Sequence, residues 1–323
     1  MRRSLQSLLE REDGASIIIV ALIMTTLLVF ASLSIDMGMA YAMAARIQNT
    51  ADAVALSIGR YLPVAENDTV QKSEIVTKAK EYAKKNGYEN LTEDDIIFSN
   101  LQSGKYMSVS VNLSTTSKTY LAKFAGVDEI TSEKSATVSA VPAGSITRGV
   151  PIGVSADTYY NAVQTGQTEH LILKGGGGSG VNGFFGFVIL DGSNGNAADM
   201  RNIMRYGYQG ETYVGAILPV ATGNMTSVVK DGIYYRYNQC SHFRHSGGCT
   251  SHHYVEDCPR VMCFVVYEFI DTRTVMVTGF VPFVLELAPE NDQIQGSLID
   301  MNISYTTRTS DIDYGLYTFR LIG

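Results

Sequence analysis

Between Cys240 and Cys263 the chain reads CSHFRHSGGCTSHHYVEDCPRVMC. All four cysteines of the 323-residue chain fall in this window, and four of the five histidines, His242, His245, His252 and His253, lie among them. Thiolates and imidazoles are the donors that tetrahedral zinc takes. Cys240, His242, His245, Cys249, His252 and Cys258 are therefore the candidate zinc ligands, although their spacing is that of no standard finger. The same thiols can instead form a disulfide, the bond that persists in oxidising, exported compartments. Disulfide or structural cysteines rank ahead of metal here. Cys263 falls inside the apolar run VMCFVVYEF and is expected to be a plain buried side chain.

Other chemistry finds little support. Gly153-Val154-Ser155 lacks the second glycine of a hydrolase elbow. His252-His253 followed by Glu256 has the wrong spacing for H-E-x-x-H. Asp191-Gly-Ser193-Asn-Gly-Asn196 scatters oxygen ligands as a calcium loop does, but the twelfth position is Asn202 where glutamate belongs, so an ordinary turn is expected. Gly175 to Gly180 has no Gly-Lys-Ser/Thr after it and reads as a flexible loop. The net charge of −7 and the absence of a Lys/Arg block exclude a nucleic-acid partner. The protein is expected not to be an enzyme and to need no cofactor, zinc in the Cys/His loop being the one candidate.

The elements that must position this loop are organised around Ala15 to Ile35, which carries no charge. As a helix it is roughly 30 Å long, the thickness of a bilayer core. Arg2, Arg3 and Arg11 precede it and Asp36 follows it, so the positive-inside rule keeps residues 1–14 in the cytoplasm and exports the rest. A signal peptide starts similarly, and Ala40-Tyr41-Ala42 and Ala42-Met43-Ala44 look like cleavage sites. Its apolar region is usually only about 7–15 residues, so a retained single-pass anchor in the cell membrane is expected. Beyond Asp36, the residues Met39, Met43, Ile47, Val54 and Ile58 continue an apolar stripe to Tyr61, with Gly38 its expected soft spot.

This stretch carries a resemblance. Gly14, Asp36, Gly38, Tyr41, Arg46, Gln48, Asn49, Ala51, Asp52, Ala53 and Ala55 fall where TadE/TadG-like proteins of the Tad (tight adherence, Flp) pilus-assembly group have the same residues. The similarity covers about one seventh of the chain. It implies a TadG-like membrane component of a Tad-type pilus or secretion apparatus, with pilin-like subunits and other pilus-assembly proteins as partners. Prepilin-like members cleaved after such a glycine carry Glu five residues on; here that position is Ile19, so the mature N-terminus is expected upstream of Gly14. The second half, with VPIGV at 150–154, YGYQG at 206–210, TGNM at 222–225 and CPRVM at 258–262, is similar to the C-terminal region of some Tad-related proteins of Gram-positive bacteria. That resemblance has cysteines at both places of Cys240 and Cys258 and so implies those two as the disulfide pair. The alternative function is a membrane-tethered extracellular binding or metal-binding module.

The remaining chain reads as helix at Ser73–Asn86 closed by Gly87, strand at Met107–Leu113, short helix at Thr119–Gly126 and strand at Ser135–Val141. Pro142 to Ser145 reads as a linker. After it come short strands, helices at Ala197–Tyr206 and from Thr226 to Tyr237 capped by Asn224, and a hairpin of Arg260–Phe269 with Thr274–Leu287. Strands at Gln295–Tyr305 and Tyr314–Leu321 close the chain. The expected fold is a membrane-anchored α+β protein: residues 1–14 cytoplasmic, 15–35 transmembrane, 36–143 an extended helix with a small pilin-like α+β domain, and 144–323 a β-rich extracytoplasmic domain.

Overall fold

The computed structural model describes residues 3–175, 184–193, 195–221, 225–288 and 293–322. The glycine loop beyond Gly175 and the Asn224 cap lie outside them. A single helix, α1, runs unbroken from Arg3 to Gly59 and passes through Gly38 without interruption. From Ser16 to Ile35 nearly every side chain is exposed although nearly all are apolar. A helix apolar on all faces needs an apolar surround, and its hydroxyls must find partners within the helix. They do: Thr25 donates to the Ala21 carbonyl at 3.0 Å, Thr26 to Leu22 at 2.7 Å and Ser34 to Phe30 at 2.9 Å. A long apolar N-terminal helix of this kind fits a membrane anchor.

The second half of α1 is packed instead. Ala51, Val54, Ala55 and Ile58 have no exposed surface. They recur at three- and four-residue steps, one face of the helix. Next come β1 (Val64–Ala65), α2 (Thr69–Lys85), β2 (Ile96–Gln102) and β3 (Lys105–Lys118). A 3₁₀ turn at Ala122–Ala125 then leads to β4 (Glu129–Pro142). Helix α2 starts four residues before Ser73 because the Asp68 carboxylate caps it, accepting from the Gln71 N–H at 2.8 Å. It stops at Lys85 with Asn86 as its C-cap, before Gly87, whose φ of +79° continues no helix. Ile75, Ala79 and Ala83 of α2 join the α1 face over Val109, Val111 and Val138 of β3 and β4 in one core.

The linker reading of 142–145 is corrected. Pro142 ends β4, Ala143 is buried and bridges Thr309, and Ser145 begins β5 (Ser145–Thr147). There follow β6 (Ile152–Ser155), α3 (Ala156–Gln164), β7 (Leu171–Gly175), β8 (Phe184–Phe187) and α4 (Ala197–Tyr206). Then come β9 (Glu211–Tyr213), β10 (Ile217–Pro219), α5 (Thr226–Gln239), β11 (Val261–Phe269) and β12 (Thr274–Leu285). The chain ends through β13 (Gln293–Leu298), β14 (Met301–Asn302) and β15 (Leu316–Ile322). The body is thus mixed helix and sheet, with a β-rich C-terminal part.

Two main sheets result. The first runs β1-β3-β4-β15-β14, with β2 also on β3, so the last strands of the chain complete the sheet begun by its first ones. The second runs β10-β12-β11-β6-β8-β7-β13, and because β13 also pairs with β12 it closes on itself. Its central hairpin, β11 with β12, is buried on both faces. Met262, Phe264 and Val266 pack into one cluster with α4 and α5, while Val261, Val265 and Tyr267 pack into another. A strand covered on both faces reads as a continuous apolar run, as VMCFVVYEF does.

Candidate metal centre

The Cys/His loop joins two of these buried elements. Helix α5 ends at Gln239, which puts Cys240 at its C-cap, and β11 starts at Val261, three residues after Cys258. Between them Gly247 and Gly248 hold φ of +85° and +99°, a left-handed turn that non-glycine residues enter only with strain. That turn drives Cys249 inward until none of its surface is exposed. Thr250 and His253 then exchange backbone hydrogen bonds of 2.9 and 3.2 Å, reversing the chain again toward Cys258. Glu286, at the end of β12, fastens the far side of the loop by accepting from the Ser251 N–H at 2.9 Å.

These turns bring Cys240, His242, Cys249 and Cys258 together, with their ligand atoms all within 4.8 Å of one another. The Sγ atoms of Cys240 and Cys249 lie 3.9 Å apart. Cys249 and Cys258 are buried; Cys240 and His242 are half-buried. The Nδ1 of His242 is buried and has no hydrogen-bond partner. Of the six residues proposed as ligands from sequence, four converge. His245 lies exposed in a 3₁₀ turn, and His252 lies exposed with its Nδ1 3.2 Å from the Ser251 hydroxyl. His253 packs edge-on against Phe243 and its Nδ1 contacts the Thr250 hydroxyl at 3.2 Å.

The structure records Cys240, Cys249, Cys258 and Cys263 as free thiols, the expected Cys240–Cys258 pair among them. Cys249, carried in by its two preceding glycines, stands against both partners of the pair. Burial pushes the Cys258 thiol up to about 12, and its contacts with Cys240 and Cys249 add to the rise. At Cys240 burial acts in the same upward direction, but hydrogen bonding with Cys249, Cys258 and His242 outweighs it and the thiol falls below its ordinary value. Cys263 lies apart on β11, half-buried, its thiol pushed up by burial.

A cleft of about 320 Å³ opens behind Cys258, lined by Arg148, Arg236, Glu256 and Cys263 among others. Arg236 is 6% exposed, and its guanidinium donates to the Met204 carbonyl at 2.5 Å and to the Pro259 carbonyl at 3.0 Å. Burial and the nearby Arg148 lower it to about 10, while Cys263 and Cys258 are the groups that favour its charge most. The role of this arginine was not legible in the sequence, since nothing local to YYRYNQ marks it as buried.

The loop also touches the end of α1 and the segment before β14. Glu256 pairs with Arg60, one residue beyond α1, at 3.8 Å, and the Tyr254 hydroxyl donates to the Asp300 carbonyl at 2.6 Å. Asp191, read in sequence as a turn and not a calcium ligand, accepts from the Ser193 N–H at 3.0 Å, an Asx turn.

Neither a curated protein nor a solved structure matches the chain. A family model does match, over the helix that carries the sequence resemblance. Residues 14–57, within α1, match the Tad family, described as "Putative Flp pilus-assembly TadE/G-like".

Proposed function

We propose that this protein is a TadG-like, single-pass membrane component of a Tad/Flp-type pilus or secretion apparatus, with a structural or assembly role and no catalysis of its own. The observation that carries this is the division of α1. From Ser16 the Tad-matching segment is exposed and uncharged and, within one unbroken helix, becomes the buried support of a sheet. That support suits a subunit whose body must sit at a fixed distance from the bilayer. In this reading residues 1–14 are cytoplasmic, 15–35 span the membrane, and everything from Asp36 outward is extracytoplasmic. The partners are other pilus-assembly or pilin-like subunits of the same apparatus.

Two-way fractionation tests it. The full chain is expected to resist carbonate extraction from membranes and to co-purify with Tad-apparatus proteins after mild crosslinking. Release into the soluble fraction by carbonate would overturn the anchor, and crosslinks confined to unrelated surface proteins would overturn the pilus role. The second reading, a tethered extracellular metal-binding module, is favoured by the converged cysteines and histidine alone. It becomes first if the protein is membrane-bound yet never meets a pilus component.

A further inference from the structure

We propose that Cys240, His242, Cys249 and Cys258 form a closed, structural zinc site that fixes the 240–260 loop between α5, β11 and the outer end of α1. The geometry is that of a ligand set. Four donors about 2.3 Å from a zinc ion stand roughly 3.8 Å apart along each edge of their tetrahedron. The Cys240–Cys249 sulfur separation of 3.9 Å is such an edge, and the whole group fits within 4.8 Å. Three thiols with one imidazole is a standard structural donor set, and four protein ligands leave no open position for a substrate.

Two further observations point at the same group. The buried Nδ1 of His242 lacks any hydrogen-bond partner, a cost that direct ligation of a metal through that nitrogen relieves. Charge is the other. Zinc binding releases three thiol protons, and a Zn²⁺ ion with three thiolates and a neutral imidazole carries a net charge of −1. Arg236, nearly fully buried, donates to the Met204 carbonyl and to the Pro259 carbonyl next to Cys258, and among the described residues it forms no ion pair with a carboxylate. An anionic thiolate centre beside it supplies the countercharge that a buried guanidinium otherwise lacks.

The site would stiffen a junction. Glu256 and Tyr254, inside the loop, contact Arg60 after α1 and Asp300 before β14. Holding the loop at four points therefore holds the β-rich part against the end of the anchor helix.

The test uses the full-length protein in detergent and Co²⁺ as probe. Reduced, metal-free protein titrated with Co²⁺ should show sulfur-to-cobalt charge-transfer bands and the intense visible bands of tetrahedral cobalt, saturating at one ion per chain and abolished by one equivalent of Zn²⁺. Cys249→Ser and His242→Ala should weaken zinc binding at least tenfold, while His252→Ala, which removes an exposed histidine of the same loop, should leave it unchanged. Because a ligand variant can fail to fold, the wild-type cobalt spectrum stands by itself. Octahedral, weak bands, or equal loss in His252→Ala, would overturn the proposal. So would peptide mapping that finds Cys240, Cys249 or Cys258 disulfide-linked in protein taken from its native compartment, since a linked thiol cannot ligate.

Discussion

Asp36 stands one residue past the uncharged span and is buried against the loop between β3 and β4. Its carboxylate accepts from the Tyr120 N–H at 2.9 Å, the Leu121 N–H at 2.9 Å and the Ala122 N–H at 2.6 Å. Those three amides open a 3₁₀ turn and would otherwise lack acceptors. The bonds from Ala122 and Tyr120 hold the carboxyl below its ordinary range, against a smaller opposing effect of desolvation. A folded-state pKa that is depressed adds stability above the unfolded value of about 3.9 and loses it as pH falls through the folded one. Amide exchange at residues 120–122, corrected for its intrinsic pH dependence, should therefore stay protected from neutrality down to about pH 5. Asp36→Asn should lose that protection throughout the range. Equal protection in the variant would show that the loop is held by something else. Asp36 was visible in sequence as the first charge after the span; its three partners were not, because they lie 84 to 86 positions away.

At the scale of elements, α1 is one helix with an exposed apolar half and a packed half. Ile58 has no exposed surface and sits in the core over β3 and β4, whereas Leu33 is 48% exposed in the apolar span. Ile58→Ala should cost the folded body about 2–5 kcal/mol, read as a lower melting temperature in detergent. Leu33→Ala should leave that melt unchanged. Equal effects would mean that the span packs within the body. Gly59 marks how close helix and sheet come: a Cβ there would lie 2.6 Å from Val138 Cγ2. Gly59→Val is expected to destabilise as strongly as Ile58→Ala, by displacing the helix end.

Most of these elements were legible from pattern. Helix α4 falls where the sequence put it, and α5, β11 and β12 lie within two residues of the expected limits. Helix α3, whose Ser155 cap accepts from the Thr158 N–H, was missed; it is nine residues long and buries only Ala156 fully. Strand β2 was missed as well, since IIFSNLQ alternates poorly. Strands β3 and β4 extend far past their apolar cores because Ser and Thr pair across the ladder there, as Thr116 and Thr131 do at 3.3 Å. In β12 an extra residue, Thr278, falls between the pairs Val266–Gly279 and Tyr267–Val277. That bulge flips the face presented, so Val275 and Val277 share a cluster with Phe280 and Val284. No reading of strict alternation could find it.

The whole molecule is tied together by its C-terminus. Strand β15 pairs with β4 from Tyr317↔Pro142 to Ile322↔Thr137, and Tyr317 is 1% exposed in the core of the first sheet. Asn302 donates to the Arg60 carbonyl at 3.0 Å, and Lys105 pairs with Asp300. Residues 301–322, expected in the β-rich C-terminal part, thus complete the sheet that α1 supports. Removing residues 314–323 should make residues 60–142 sensitive to limited proteolysis, although the cut lies far away in sequence. Unchanged resistance there would show that the first sheet stands without β15. The same long-range logic explains the candidate metal centre: composition marked the window, but only the placement of α5 and β11 selects four of its donors and sends His245 and His252 outward.

The central claim is that α1 anchors the body outside the membrane, and lysine labelling tests it most directly. The first lysine in the chain is Lys72, so apart from the N-terminal amine every amine follows Asp36. Lys80, Lys84, Lys85 and Lys123 are exposed. A membrane-impermeant amine reagent, added to intact cells stripped of any outer barrier, should modify these lysines at the level seen in detergent-solubilised protein. The N-terminal amine should react only after the membrane is opened. Lysines that react only after permeabilisation would place the body in the cytoplasm and contradict the account.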